Sequence, residues 1–221
     1  MIPLRSTERV YSTAWVTIGL IVVNLLIFLY EASLNPYSQD AFIRHWGVVP
    51  DRLHYSTLFT SMFLHGGWLH VLGNMWFLFL YGRNVEDIMG SPKYLVFYIV
   101  CGLIAALVQV FFNPYSRVPT VGASGAIAGV MGAYLIKFPR ARILTLVPVF
   151  VFITTFEIPA ALLLLYWFAL QFFNGIGSIG YSQVSTGGIA FFAHIGGFLA
   201  GMLLVHVFGT RQRYARWERW S

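Results

Sequence analysis

Charge is scarce in this sequence. Asp, Glu, Lys and Arg make up 10% of its 221 residues, against 58% hydrophobic and 18% aromatic residues, a balance that excludes a soluble globule and implies an integral membrane protein. The formal charge of +6 does not point to nucleic acid, because the basic residues sit at the ends of apolar runs and form no stripe. Cysteine is nearly absent too. The one cysteine, Cys101, lies in an apolar run, so an intrachain disulfide is excluded and the residue is expected to pack. Carboxylates are missing from every long apolar run, which excludes an acidic third member for any catalytic group found there. Repeats and low-complexity segments are likewise absent.

What remains is apolar sequence in blocks. Six stretches are candidate membrane spans, roughly Ala14 to Tyr30, Trp68 to Tyr81, Tyr94 to Phe112, Ser124 to Ile136, Ala160 to Phe173 and Gly188 to Phe208. The first follows Arg5 and Arg9 as a signal peptide would, but it is long and no small-x-small cleavage site follows, so it reads as a retained span. The stretch Glu31 to Gly67 mixes charge, proline and aromatics and is expected to lie in the interface. The segment Ile143 to Phe156 is short for a span and interrupted by Pro148; it reads as an interfacial strand or re-entrant piece. With the N-terminus inside, six spans place Arg5, Arg9, Arg83, Lys93, Lys137, Arg140, Arg142, Arg211, Arg213, Arg216 and Arg219 inside and leave Arg44, Arg52 and Arg117 outside. That distribution favours N-in, C-in. The expected fold is therefore an all-α bundle of six transmembrane helices forming a single domain over residues 1–221. Its core is about 14–208, and 209–221 is a basic, aromatic tail lying on the inner leaflet.

Polar groups inside a membrane are expensive, so each is a functional hypothesis. Ser124 heads a run in which Ala128 and Gly132 recur every four residues, with Gly125 and Gly129 beside them, so a second helix can approach closely. His194 sits above Gly197 and Gly201 on the last span, and His70 and Asn74 share a face of the second. Counted back from the inner ends at 1.5 Å per residue, Ser124, His194 and Asn74 reach a common depth about 20 Å above the inner face. A neutral imidazole can take the proton that makes a serine hydroxyl nucleophilic. Asn74 and His70, with the Ser124 backbone N–H, can donate to the oxyanion that follows.

Together, Gly122-Ala123-Ser124-Gly125 opening a helix, Ala193-His194-Ile195-Gly196-Gly197 in the last helix, and His65 to Asn74 as H-x4-H-x3-N resemble the rhomboid intramembrane serine proteases. Gly82 with Glu86 is similar to the family's GxxxE, and Trp46 to Pro50 to the first loop of bacterial members. The resemblance covers about residues 14–208. It implies a six-helix rhomboid-like bundle that cleaves transmembrane helices with Ser124 as nucleophile, His194 as base, and Asn74 and His70 at the oxyanion. No metal or cofactor is implied, and the expected location is a bacterial inner membrane. A minimal form without the cytoplasmic N-terminal domain of some relatives is expected. Where some bacterial members place a tyrosine against the catalytic histidine, this chain has Ala128, which leaves open how His194 is held.

Gly122, Gly125, Gly129, Gly197 and Gly201 are expected to pack helices at the site. His65 is expected to bond the first loop, Glu86 to tie down backbone, and Gln171 to face inward with no assigned role. The glycine-rich stretch Gly175 to Gly188 is expected to cap the cavity, with Trp167 and Phe168 as a lateral gate beside it. The alternative to a protease is a catalytically silent rhomboid-like module that binds or chaperones membrane helices. A metal carrier using His65, His70 and His194 is disfavoured, because helical i, i+5 spacing separates the first two and no carboxylate accompanies them.

Overall fold

The apolar runs become helices, and the polar residues between them set where each begins. A computed structural model describes residues 2–149, 152–178 and 190–210. After a short strand β1 (Ile2–Ser6), helix α1 (Trp15–Ser33) starts with first-turn N–H groups that no intrahelical carbonyl can reach. The buried Glu86 carboxylate accepts from the Val16 and Thr17 N–H groups at 2.9 and 2.8 Å and from the Thr17 hydroxyl at 2.7 Å. It places negative charge where the helix dipole favours it. Helix α2 (Pro36–Trp46) is capped by Asn35, which accepts from the Ser38 N–H at 3.0 Å. The short α3 (Thr57–Thr60) leads to α4 (Trp68–Phe77), which passes through a wide turn at Leu78–Gly82 into α5 (Arg83–Met89). Gly90, at φ +84°, separates α5 from α6 (Ser91–Phe112). Next come α7 (Ser124–Lys137), strands β2 (Arg142–Val149) and β3 (Phe152–Pro159), α8 (Ala160–Ser178) and α9 (Phe191–Val207).

Among the described residues, α1, α6 and α8 are long and apolar enough to cross a membrane, while α7 and α9 are shorter apolar helices. The stretch Ile143 to Phe156, expected as an interfacial strand or re-entrant piece, is an antiparallel hairpin, with Leu146 opposite Thr155. It extends into a three-stranded sheet of order β1-β2-β3, with Ser6 opposite Ile143. The N-terminal strand has no counterpart in the sequence reading, since its five residues are too few to show a period.

The connections gather at two ends. At one, Ser12 donates to Asp87 from its N–H at 2.8 Å and from its hydroxyl, the Ser91 hydroxyl donates to Glu86 at 2.5 Å, and the Thr7 N–H donates to the Arg142 carbonyl at 2.9 Å. At the other, Val48 and Thr120 exchange backbone bonds of 3.0 and 2.7 Å, and Arg117 pairs with Asp51 at 3.1 Å. Between the ends, α7 is the central helix, packed on α6 and α9. Tyr134 of α7 is fully buried, as are Tyr81, Tyr94 and Tyr98, while Leu26, Leu69, Phe111, Leu162 and Leu203 face outward. Large apolar side chains outside and polar ones such as Thr17, Asn24 and Glu86 inside are what a lipid environment selects. The protein is a mostly helical integral membrane protein.

Candidate active site

The site is assembled where α7 and α9 come closest. A Cβ on Gly197 would collide with the Gly125 carbonyl oxygen, one on Gly201 with that of Gly129, and one on Gly132 with that of Phe198. Two other glycines of α7 are used on a different side: a Cβ on Gly125 would meet the Ala105 Cβ at 2.6 Å, and one on Gly129 the Cys101 Cβ at 2.5 Å, both on α6. Gly197 and Gly201 therefore admit α7, whereas Gly125 and Gly129 admit α6. Cys101 is buried packing within this junction.

Ser124 and His194 meet at the end of this seam, with His194 Nε2 2.8 Å from Ser124 Oγ. Ser124 is half-buried, and His194 is buried. The other ring nitrogen, Nδ1, lies 2.8 Å from Gln171 Oε1 on α8. Trp167, four residues earlier on α8, flanks the ring at a centroid distance of 5.5 Å. Trp167 and Phe168, expected as gate residues, thus pack inward, with Phe168 stacked on Phe198 of α9 at 4.9 Å. Sequence gave Gln171 no role, because its partner depends on how α8 is rotated. Gln109 has no role in the sequence-based expectation, yet its Oε1 accepts from the Ala193 N–H at 3.1 Å, pinning the first turn of α9 beside His194. An amide inside an apolar run was the available signal.

Across from the dyad lie His70 and Asn74 on α4. The Gly66 N–H donates to His70 Nδ1 at 3.3 Å, which leaves the ring hydrogen on Nε2. That Nε2 would be 2.7 Å, and Asn74 Nδ2 3.5 Å, from a Cβ built on Gly122. Gly122 has φ +125° and precedes α7, so the expectation that it packs helices is corrected. Its missing side chain keeps open the space in front of His70 and Asn74. Asn74 Nδ2 is buried without a hydrogen-bond partner, a donor aimed into that space. The first-turn N–H of Ser124 faces no intrahelical acceptor either.

His65 precedes α4 and is not helical, so the helical spacing that separated it from His70 does not apply: the two rings lie 5.1 Å apart. Its N–H donates to the Glu31 carboxylate at 3.2 Å, tying it to α1. Among the described residues no cluster of three His, Cys, Asp or Glu could hold a metal. The stretch Gly175 to Gly188 is helical as far as Ser178, the last residue of α8; its remainder lies outside the described residues, as does the basic tail from 211.

Comparison with known proteins gives a consistent picture. A family model described as Rhomboid domain matches residues 52–211. RHOMBOID-like protein 1 of Arabidopsis thaliana is 33% identical over 157 residues, covering 71% of this chain and 35% of that protein. The mitochondrial Presenilin-associated rhomboid-like protein of Mus musculus is 30% identical over 140 residues, 61% of this chain and 36% of that protein. Rhomboid protease GluP of Bacillus subtilis is 33% identical over 114 residues, 50% of this chain and 22% of that protein. The chain thus matches about a third or less of the length of these relatives, which come from plant, mitochondrial and bacterial sources.

Proposed function

The chain belongs to the rhomboid family, and on that premise we propose that it is an intramembrane serine endopeptidase cleaving transmembrane helices of membrane proteins. The observation that carries this reading is the 2.8 Å contact between His194 Nε2 and Ser124 Oγ. In it, His194 takes the hydroxyl proton as Ser124 Oγ bonds to the scissile carbonyl carbon. The carbonyl oxygen becomes an oxyanion facing Asn74 Nδ2, His70 Nε2 and the Ser124 N–H, donors of which each typically contributes about 2.7 to 4 kcal/mol. Collapse breaks the C–N bond as imidazolium His194 protonates the leaving amine. Water then attacks the acyl-enzyme with His194 again as base, and Ser124 is regenerated.

The chain would act as one membrane domain over residues 1–221, crossing the membrane six times with both ends inside. Two features support this topology. The β1-β2 pairing joins the N-terminal segment to the connection after α7, as four intervening passes require. The hairpin also accounts for Ile143 to Phe156 without a seventh span, which would place the arginine-rich tail outside. Its partners are membrane-protein substrates and lipid, and the likeness of Trp46 to Pro50 to bacterial first loops favours a bacterial inner membrane.

The test is cleavage of a single-span reporter by the purified protein in detergent, alongside Ser124→Ala and His194→Ala. Loss of cleavage in both variants is the expected outcome. No cleavage by the wild-type chain across several reporters would move the reading to a silent helix-binding module, and equal cleavage by all three would mean that another site, or a contaminant, does the work.

A further inference from the structure

The catalytic reading makes no use of the polar contact between Gln171 and His194. Gln171 Oε1 sits 2.8 Å from His194 Nδ1 while the opposite nitrogen meets Ser124, so both ring nitrogens are engaged. A carbonyl-type oxygen can only accept, and it therefore selects the tautomer with hydrogen on Nδ1 and a lone pair on Nε2. That is the tautomer a base for Ser124 requires. An amide does this without charge, where a carboxylate among apolar helices would be costly. Nothing on α7 can substitute, since the residue one turn after Ser124 is the buried Ala128.

The support comes from a helix that carries neither dyad residue. Along the α8–α9 contact, Gly175 meets Phe191 and Ile195 (a Cβ there would be 3.3 Å from each), Gln171 meets His194, and Phe168 stacks on Phe198. Apart from these contacts α8 is lightly embedded: its buried residues are Ala160, Leu164 and Gly175, whereas α7 is buried along most of its length.

We propose that Gln171 is the positioning residue for His194, and that the dyad is aligned only while α8 is seated against α9. Movement of α8 at this level withdraws the acceptor from Nδ1 and lets the ring turn away from Ser124. This rests on the serine-protease reading for its consequence in catalysis, but the positioning itself can be read without turnover.

The experiment compares wild type, Gln171→Leu and Gln171→Glu in detergent by three readouts. Histidine 15N NMR, with the His194 signal identified by its loss in His194→Ala, should show the Nδ1–H tautomer in wild type and in Gln171→Glu, and a tautomer mixture in Gln171→Leu. The rate of Ser124 labelling by a small fluorophosphonate, which does not need a helix to enter, should fall about 10- to 100-fold in Gln171→Leu, at most the lower end of what a general base contributes, because the base is misaligned and not removed. Reporter cleavage should lose the same factor in kcat with KM unchanged, and Gln171→Glu should recover most of it. Gly175→Leu, which wedges α8 from α9, should slow labelling too, and adding Gln171→Leu should cost little more. An unchanged tautomer and labelling rate in Gln171→Leu would overturn the proposal, as would an effect confined to KM; additive losses would overturn the link to α8. A fixed tautomer lost in Gln171→Leu, in a wild-type chain that neither labels nor cleaves, would uphold the positioning and sink the protease reading.

Discussion

At Gly122 a single absent methyl group keeps open the space before His70 and Asn74. A Cβ there would lie 2.7 Å from His70 Nε2, and φ of +125° is a backbone conformation that side-chain-bearing residues rarely adopt. Gly122→Ala should therefore lose activity by at least the factor of about 100 that follows loss of an oxyanion donor. Steady-state cleavage checks this, and activity within threefold of wild type would show that His70 and Asn74 do not face the substrate. Asn74 makes an opposite pairing of stability with activity. Its Nδ2 is buried and unpartnered, a desolvated donor that stabilises nothing in the resting protein. Asn74→Ala should lower kcat about 100- to 1000-fold while thermal stability in detergent stays the same or rises; a large fall in both would make Asn74 structural. Ser124, His194 and Asn74 were legible in sequence because polar side chains in apolar runs stand out and their spacing put them at one depth, and His70 because it shares a helix face with Asn74. Gln171 was visible as a polar residue, yet its partner could not be read, since which side of α8 faces α9 is decided by Gly175 and Phe168, not by any local pattern. His65 was misplaced for a related reason: helical geometry was extended about one turn ahead of the true start of α4, across Gly66 and Gly67.

At the level of whole elements, close approach is written in glycine and its direction is not. The sequence shows small residues on α7 and α9, but not that Gly125 and Gly129 open toward α6 while Gly197 and Gly201 open toward α7. A contrast follows between glycines that look alike in sequence. Gly201→Ala forces a methyl group onto the Gly129 carbonyl, whereas Gly73→Ala on α4 meets nothing within 4 Å. The first should destabilise by about 1 to 3 kcal/mol, the range for overpacking, and slow Ser124 labelling by parting the helices below the dyad; the second should leave both unchanged. Thermal unfolding and labelling of the two variants side by side check it, and equal behaviour would mean that the seam yields. Glu86 is the corresponding device at a helix end. Its carboxylate serves the start of α1 from α5, so a motif that reads as a local GxxxE acts across 69 residues of sequence. The β1-β2-β3 sheet was only half legible, as β2 and β3 have β-branched and aromatic composition but their partner β1 is too short to signal itself.

For the molecule as a whole, the sequence argued topology from where arginine and lysine fall, and the structure offers an independent argument from which connections touch. β1 with β2, Ser12 with Asp87, and Glu86 with the first turn of α1 gather at one end, while Val48 with Thr120 and Asp51 with Arg117 gather at the other. If the bundle crosses six times with both termini inside, the first group is cytoplasmic and the second is outside. The lone cysteine makes this testable, because Cys101 is fully buried and should not react in the folded protein. A cysteine placed at the exposed Tyr37 on α2 should label with a membrane-impermeant maleimide added to intact cells, whereas one at the exposed Arg140, between α7 and β2, should label only after permeabilisation. The reverse pattern would invert the orientation while leaving the dyad untouched; labelling of both from outside would mean that the two ends do not lie on opposite sides, and the six-span reading would fall with them. Orientation matters to chemistry because Ser124 opens α7 at the end that carries the first loop, so the expected pattern places peptide-bond cleavage nearer the outer leaflet, within reach of water from that side.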